Sequence, residues 1–135
     1  MLGLLDIDTA AAAPIWRQIS DGMRRLTASG ALPAGTAVPS VRELARELRV
    51  NPATVSKAYQ LLVADGALEV RRGEGTFVAD RPAEAVEGER ERLLAEAAER
   101  FARAARDMGV ARKDAMAAVS VAWRGNDDAA DGVTR

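Results

Sequence analysis

Two strong helix-start signals in close succession, followed by a glycine-punctuated hairpin pattern, constrain the fold of this chain more than any other feature. Ser40 and Glu43 form a capping box: the Ser40 hydroxyl can accept from the Glu43 amide while the Glu43 side chain reaches back, so helix is favoured from Val41. Val41, Leu44, Ala45 and Leu48 supply its apolar face. Arg49-Val50-Asn51 makes the turn, Asn51 is the next N-cap, and Pro52 occupies the first helical position, where its missing N–H costs nothing. Val55, Ala58, Tyr59 and Leu62 recur at helical spacing on the inward side, which leaves Ala53, Thr54, Ser56 and Lys57 outward. Gly66 is the helix stop, and residues 67–79 read as strand, Gly73-Glu74-Gly75 turn and strand, with Arg71 and Arg72 beside the turn. The order is that of a winged helix-turn-helix.

Composition narrows the chemistry. At 135 residues the chain has room for one compact domain and a short appendage. It contains neither cysteine nor histidine, which removes disulfides, thiol chemistry, the common zinc sites and the usual general base. No carboxylate pair converges and no calcium-loop pattern occurs, so the expectation is no enzyme, no metal and no cofactor. Without a long apolar run or a signal-type leader, the chain is expected in the cytoplasm with no membrane partner. A net charge of −1 argues against nucleic acid until its distribution is read. Residues 15–82 carry ten Lys/Arg against seven Asp/Glu, whereas residues 83–135 carry nine against eleven. The surplus of positive charge thus lies on the helix-turn-helix part.

The pattern gives three regions. Residues 1–82 form the winged helix-turn-helix domain with its leader, in which Ile15, Ile19, Met23 and Leu26 stripe a first helix over residues 14–29. Residues 1–13 are open between a short strand or arm that packs on a neighbour and a disordered segment. Trp16, one position off the stripe, is read as a packing residue in preference to a binding-site aromatic. Residues 83–124 form a helical tail: Leu94, Ala97, Phe101, Ala104 and Met108 are spaced 3, 4, 3 and 4, the seam of a short left-handed helix pair. Gly109 breaks that helix, and Met116, Val119 and Trp123 mark one face of another. Residues 125–135, rich in Gly and Asp, are expected to be disordered. The fold class is therefore α+β, a winged helix-turn-helix with a short C-terminal helical hairpin expected to pair in a homodimer, in preference to folding back on its own domain.

In a helix-turn-helix the first turn of the second helix enters the major groove, so Ala53, Thr54, Ser56 and Lys57 are the candidate readers, with Asn51 and the first-turn amides toward phosphate. Arg71, Arg72 and Gly73 sit where a hairpin tip can reach the minor groove; an ordinary solubilising hairpin is the alternative. Glu74 at the tip is awkward, since a carboxylate is repelled by phosphate. Gly73-x-Gly75 is no phosphate-cradling loop, because no helix follows it.

The string P-S-V-R-E-L-A-R-E-L-R-V-N-P-A-T-V-S-K-A-Y-Q-L-L-V-A-D-G-A-L-E-V-R-R-G-E-G-T-F-V, from Pro39 to Val78, resembles the DNA-binding domain of the GntR family of bacterial transcription regulators. P-I-W-R-Q-I, from Pro14 to Ile19, and the short tail resemble its YtrA-type branch. The resemblance implies a dimeric repressor that binds double-stranded operator DNA as an inverted repeat, with control of an adjacent transporter operon. It implies that Arg42, in the P-S-x-R motif, reads or clamps the operator; on sequence alone a solvated arginine paired with Glu43 is equally good. The residues after the wing are too few for a large effector domain. Any small-molecule effector is left the junction with the tail or the dimer interface. The rival function is a winged-helix protein-interaction module without DNA specificity.

Overall fold

The computed structural model of the chain describes residues 5–133, with side chains to residue 127. The elements run α1 (Ile15–Ala28), β1 (Ala37–Val38), α2 (Val41–Leu48), α3 (Pro52–Ala64), β2 (Leu68–Arg71), β3 (Gly75–Val78), α4 (Ala83–Asp107) and α5 (Arg112–Val133). They divide into two compact units, Met1–Leu93 and Leu94–Arg135.

The first unit is the winged helix-turn-helix. Each periodic stripe ends in one core: Ile19 and Met23 from α1, Leu44 and Ala45 from α2, and Val55, Ala58, Tyr59 and Leu62 from α3 are buried together. A side chain such as Leu44, with no exposed surface, contributes about 1.5–3 kcal/mol by leaving water. The three strands form an antiparallel sheet in the order β1-β3-β2, with Leu68 opposite Val78 and Arg71 opposite Gly75. Strand alternation turns Leu68 and Val78 inward onto the helices. The two-residue β1 has no sequence signal of its own; it exists because Ala37 and Val38 pair with Phe77 and Thr76 and bury Val38.

From Leu5 onward the leader packs against this unit and forms no strand. Leu5 is buried in the core, Ile7 packs against it, and Leu5 Cδ2 lies 2.7 Å from where a Cβ on Gly22 would stand. Gly22 is therefore the seat of Leu5. Gln18 anchors the rest: its Oε1 accepts from the Asp8 amide at 2.8 Å, and its Nε2 donates to the carbonyls of Asp8 and Ala13. Leu2 and Leu4 lie outside the described residues. Arg24 pairs with Asp65 at the end of α3, and Arg81 pairs with Glu89 across the start of α4.

The second unit is built differently. Its first helix, α4, already begins at Ala83 in the first unit. Gly109, at φ 72°, supplies the left-handed turn that ends α4. Ala105 is the sole buried side chain of α4, and α5 has none among the described residues. The seam residues Leu94, Phe101 and Met108 are 70%, 43% and 73% exposed. α5 also runs past Trp123 to Val133, where disorder is expected from the sequence. Gly125 adopts no left-handed φ, and the alanines around it favour helix enough to carry the turn onward.

Candidate nucleic-acid interface

The geometry of α2 and α3 follows from their caps. Ser40 Oγ accepts from the Glu43 amide at 3.1 Å, and Asn51 Oδ1 accepts from the Ala53 amide at 2.9 Å. Between them Arg49 takes φ 57°, a left-handed conformation in which its amide reaches back to the α2 carbonyls and turns the chain into α3. Glycine would hold this position without strain, so the sequence gives no turn residue where the turn is tightest. The Tyr59 hydroxyl donates to the Pro39 carbonyl at 2.7 Å and ties α3 to the residue before the α2 cap. Burial, with Glu43 and then Glu47 adding their negative charge, pushes the Tyr59 phenol well above its ordinary range, so it stays protonated and keeps donating.

The expected readers occupy one outward face. Ala53 and Lys57 are exposed, and Thr54 and Ser56 are partly so. Their environments differ. Ser56 Oγ already accepts from Gln60 Nε2 at 3.1 Å, whereas Lys57 Nζ stands 4.3 Å from the centre of the Trp16 ring. Trp16 packs against the core, as the sequence suggests, and carries this second contact as well. The first-turn amides are less available than expected. Pro52 has none, the Ala53 amide serves Asn51 Oδ1, and the Thr54 amide donates to the Asn51 carbonyl at 2.9 Å. Asn51 is left its side-chain NH₂ as an exposed donor.

Arg42, in the first turn of α2, is exposed and makes no ion pair among the described residues, so pairing with Glu43 does not occupy it. Arg46 and Arg49 share that condition and were not singled out from sequence; the signal for them is the i, i+4 and i, i+7 spacing from Arg42. Elsewhere in the unit Arg17, Arg24 and Arg81 are neutralised by Asp21, Asp65 and Glu89. Arg25 on α1 and Arg72 on the wing also lack an ion pair among the described residues, so four of the six such cations in residues 15–82 lie on the helix-turn-helix.

The wing separates its two arginines. Glu69, Phe77 and Arg71 share the outer face of the sheet because Glu69 pairs with Phe77 and Arg71 follows two residues on. Arg71 lies over the Phe77 ring at 4.1 Å and its Nη2 meets Glu69 Oε1 at 2.8 Å. The loop is Arg72-Gly73-Glu74, closed by the Glu74 amide donating to the Arg71 carbonyl at 2.9 Å. Arg72 is thus at the tip, one residue further out than the sequence suggests, with Gly73 at φ 79° and no acidic partner among the described residues. Among those residues no group of acidic side chains could hold a metal ion, and no helix is long and apolar enough to cross a membrane.

Residues 16–78 match the family described as bacterial regulatory proteins, gntR family. Over 122 residues, 90% of this chain and 99% of the relative, the sequence is 33% identical to the uncharacterized HTH-type transcriptional regulator YhcF of Bacillus subtilis. It is 42% identical over 77 residues to the HTH-type transcriptional repressor YtrA of the same organism, a match spanning 57% of this chain and 59% of that protein. A GntR family transcriptional regulator from Listeria monocytogenes superposes with a TM-score of 0.67 at 27% identity, covering 84% of this chain and 97% of that one. The DNA-binding domain of AraR in complex with operator ORX1 superposes at 0.51 with 26% identity, over 56% of this chain and 96% of that one.

Proposed function

The chain belongs to the gntR family of bacterial regulatory proteins, a winged helix-turn-helix transcription regulator, and from that premise we propose that it is a dimeric repressor of the YtrA type that binds an inverted-repeat operator. One observation carries the reading: the helix-turn-helix presents Arg42, Arg46, Arg49 and Lys57 without acidic partners among the described residues, on the elements that hold the reading helix. Unpaired cations beside a capped α3 suit phosphate, and the small side chains of Ala53, Thr54 and Ser56 let the helix approach base edges. Arg42 is assigned a base contact, Arg72 and Gly73 the adjacent minor groove, and Asn51 a phosphate through its NH₂. The AraR–operator complex, with a related domain on its operator, supports a DNA partner. Recognition without catalysis fits a chain that lacks histidine and cysteine.

The second unit supplies the dimer. Leu94, Ala97, Phe101, Ala104 and Met108 form a stripe that their own hairpin does not cover, and a second copy would bury it. One helix-turn-helix reads a few base pairs; two copies span half-sites about one helical turn apart.

Footprinting on a duplex selected by the protein from a random pool tests the reading. The wild type should protect two related half-sites, and Arg42→Ala should lose discrimination against random duplex at matched salt while its melting is unchanged. A bidentate arginine–guanine contact carries about 1–3 kcal/mol of discrimination. An unaltered specificity ratio removes Arg42 from base reading.

A further inference from the structure

The contact between Trp16 and Lys57 joins the first turn of α1 to the outward face of α3, and nothing in the fold requires it. Lys57 is exposed and could extend into solvent; instead its ammonium stands 4.3 Å from the ring centre. An indole face attracts a cation through its quadrupole. No carboxylate competes for Lys57 among the described residues. The ring itself is held. Trp16 packs on the core, and Pro14 and Gln18 fix the start of α1, with the Gln18 side chain bonded to the leader on either side of its turn.

We propose that Trp16 is the positioning residue for Lys57, holding its ammonium as a preset charge on the reading face so that it meets a DNA phosphate already ordered. The proposal rests on α3 being the element that faces DNA. A free lysine carries a four-carbon stem with large rotamer entropy, lost on binding; an ammonium resting on a fixed ring has surrendered part of it beforehand. The ring takes up one side of the ammonium and leaves N–H donors on the other for phosphate, so the contact is kept in the complex. Trp16 acts through Lys57 and needs no contact with DNA.

The test is a double-mutant cycle on the full-length chain, with a labelled duplex selected by the wild type, titrated over a salt series. Lys57→Met keeps the stem and removes the charge; it should weaken binding and lower the salt slope by about one. Trp16→Leu keeps apolar bulk and removes the quadrupole; it should weaken binding about two- to fivefold, the range of an exposed cation–π contact. Trp16→Phe keeps a ring face and should restore most of that loss. In the Lys57→Met background Trp16→Leu should have no further effect. Thermal melting of each variant fixes a temperature at which all are folded. Equal losses from Trp16→Leu in both backgrounds overturn the proposal while leaving α3 on DNA, and so does failure of Trp16→Phe to restore binding. An unchanged affinity and slope in Lys57→Met overturn the placement of Lys57 on DNA and the proposal with it.

Discussion

The first unit buries most of what its sequence makes apolar; the second does not. Ile19, Leu44, Val55 and Leu62 are at or below 1% exposure, whereas Leu94, Met108 and Trp123 are at 70% or more. Both regions carry regular helical stripes, so periodicity alone does not separate them. The difference lies in what each stripe meets. In the helix-turn-helix, three short helices and a sheet face one another from several directions. In the hairpin of α4 and α5, Ala105 alone is buried among the described residues, and grooves of about 460 and 370 Å³ stay open along Phe101. A stripe that its own hairpin leaves uncovered is the surface proposed for a second copy.

The largest expected contrast is in folding. Leu44→Ala should destabilise the reading unit by about 2–5 kcal/mol, the range for a fully buried leucine, whereas Leu94→Ala should leave the unfolding of that unit within about 0.5 kcal/mol. Chemical denaturation followed by far-UV dichroism measures both. Comparable losses would erase the distinction between a self-sufficient unit and an uncovered one.

A smaller contrast separates the wing arginines. Arg72→Ala should lower the salt slope of duplex binding by about one, because Arg72 stands at the tip with no acidic partner among the described residues. Arg71→Ala should lower it less and cost more in melting temperature, because Arg71 is spread over Phe77 and paired with Glu69. Titrations at several salt concentrations give the slopes, and equal slopes for the two variants would return Arg71 to the interface. Smaller still, Arg49→Gly should stabilise the protein by roughly 1 kcal/mol as the left-handed strain is relieved. Binding to duplex should weaken in the same variant if the cation serves phosphate, so denaturation and titration are read together.

What was legible in the sequence was local. The Ser40 and Asn51 caps, Pro52, and the buried faces of α2 and α3 follow from residues within a few positions of one another, and each recurs in the structure. What was not legible depends on partners far along the chain. The strand Ala37–Val38 needs β3, the Leu5 anchor needs Gly22, and the Lys57 contact needs Trp16 on another helix. The wing shows both kinds. Strand, turn and strand are readable, but the division of labour between Arg71 and Arg72 needs the register that sets Phe77 opposite Glu69.

In the proposed assembly the reading unit folds alone, while the stripe on α4 is completed by a second copy. Phe101→Asp places a charge on that stripe, where an unpaired buried charge opposes association. Sedimentation equilibrium of the full-length wild type and of this variant, at micromolar concentration, is the most direct measurement. The wild type should be a dimer, and Phe101→Asp a folded monomer that no longer binds a two-half-site duplex tightly. A monomeric wild type, or a variant that stays dimeric, would contradict that assembly.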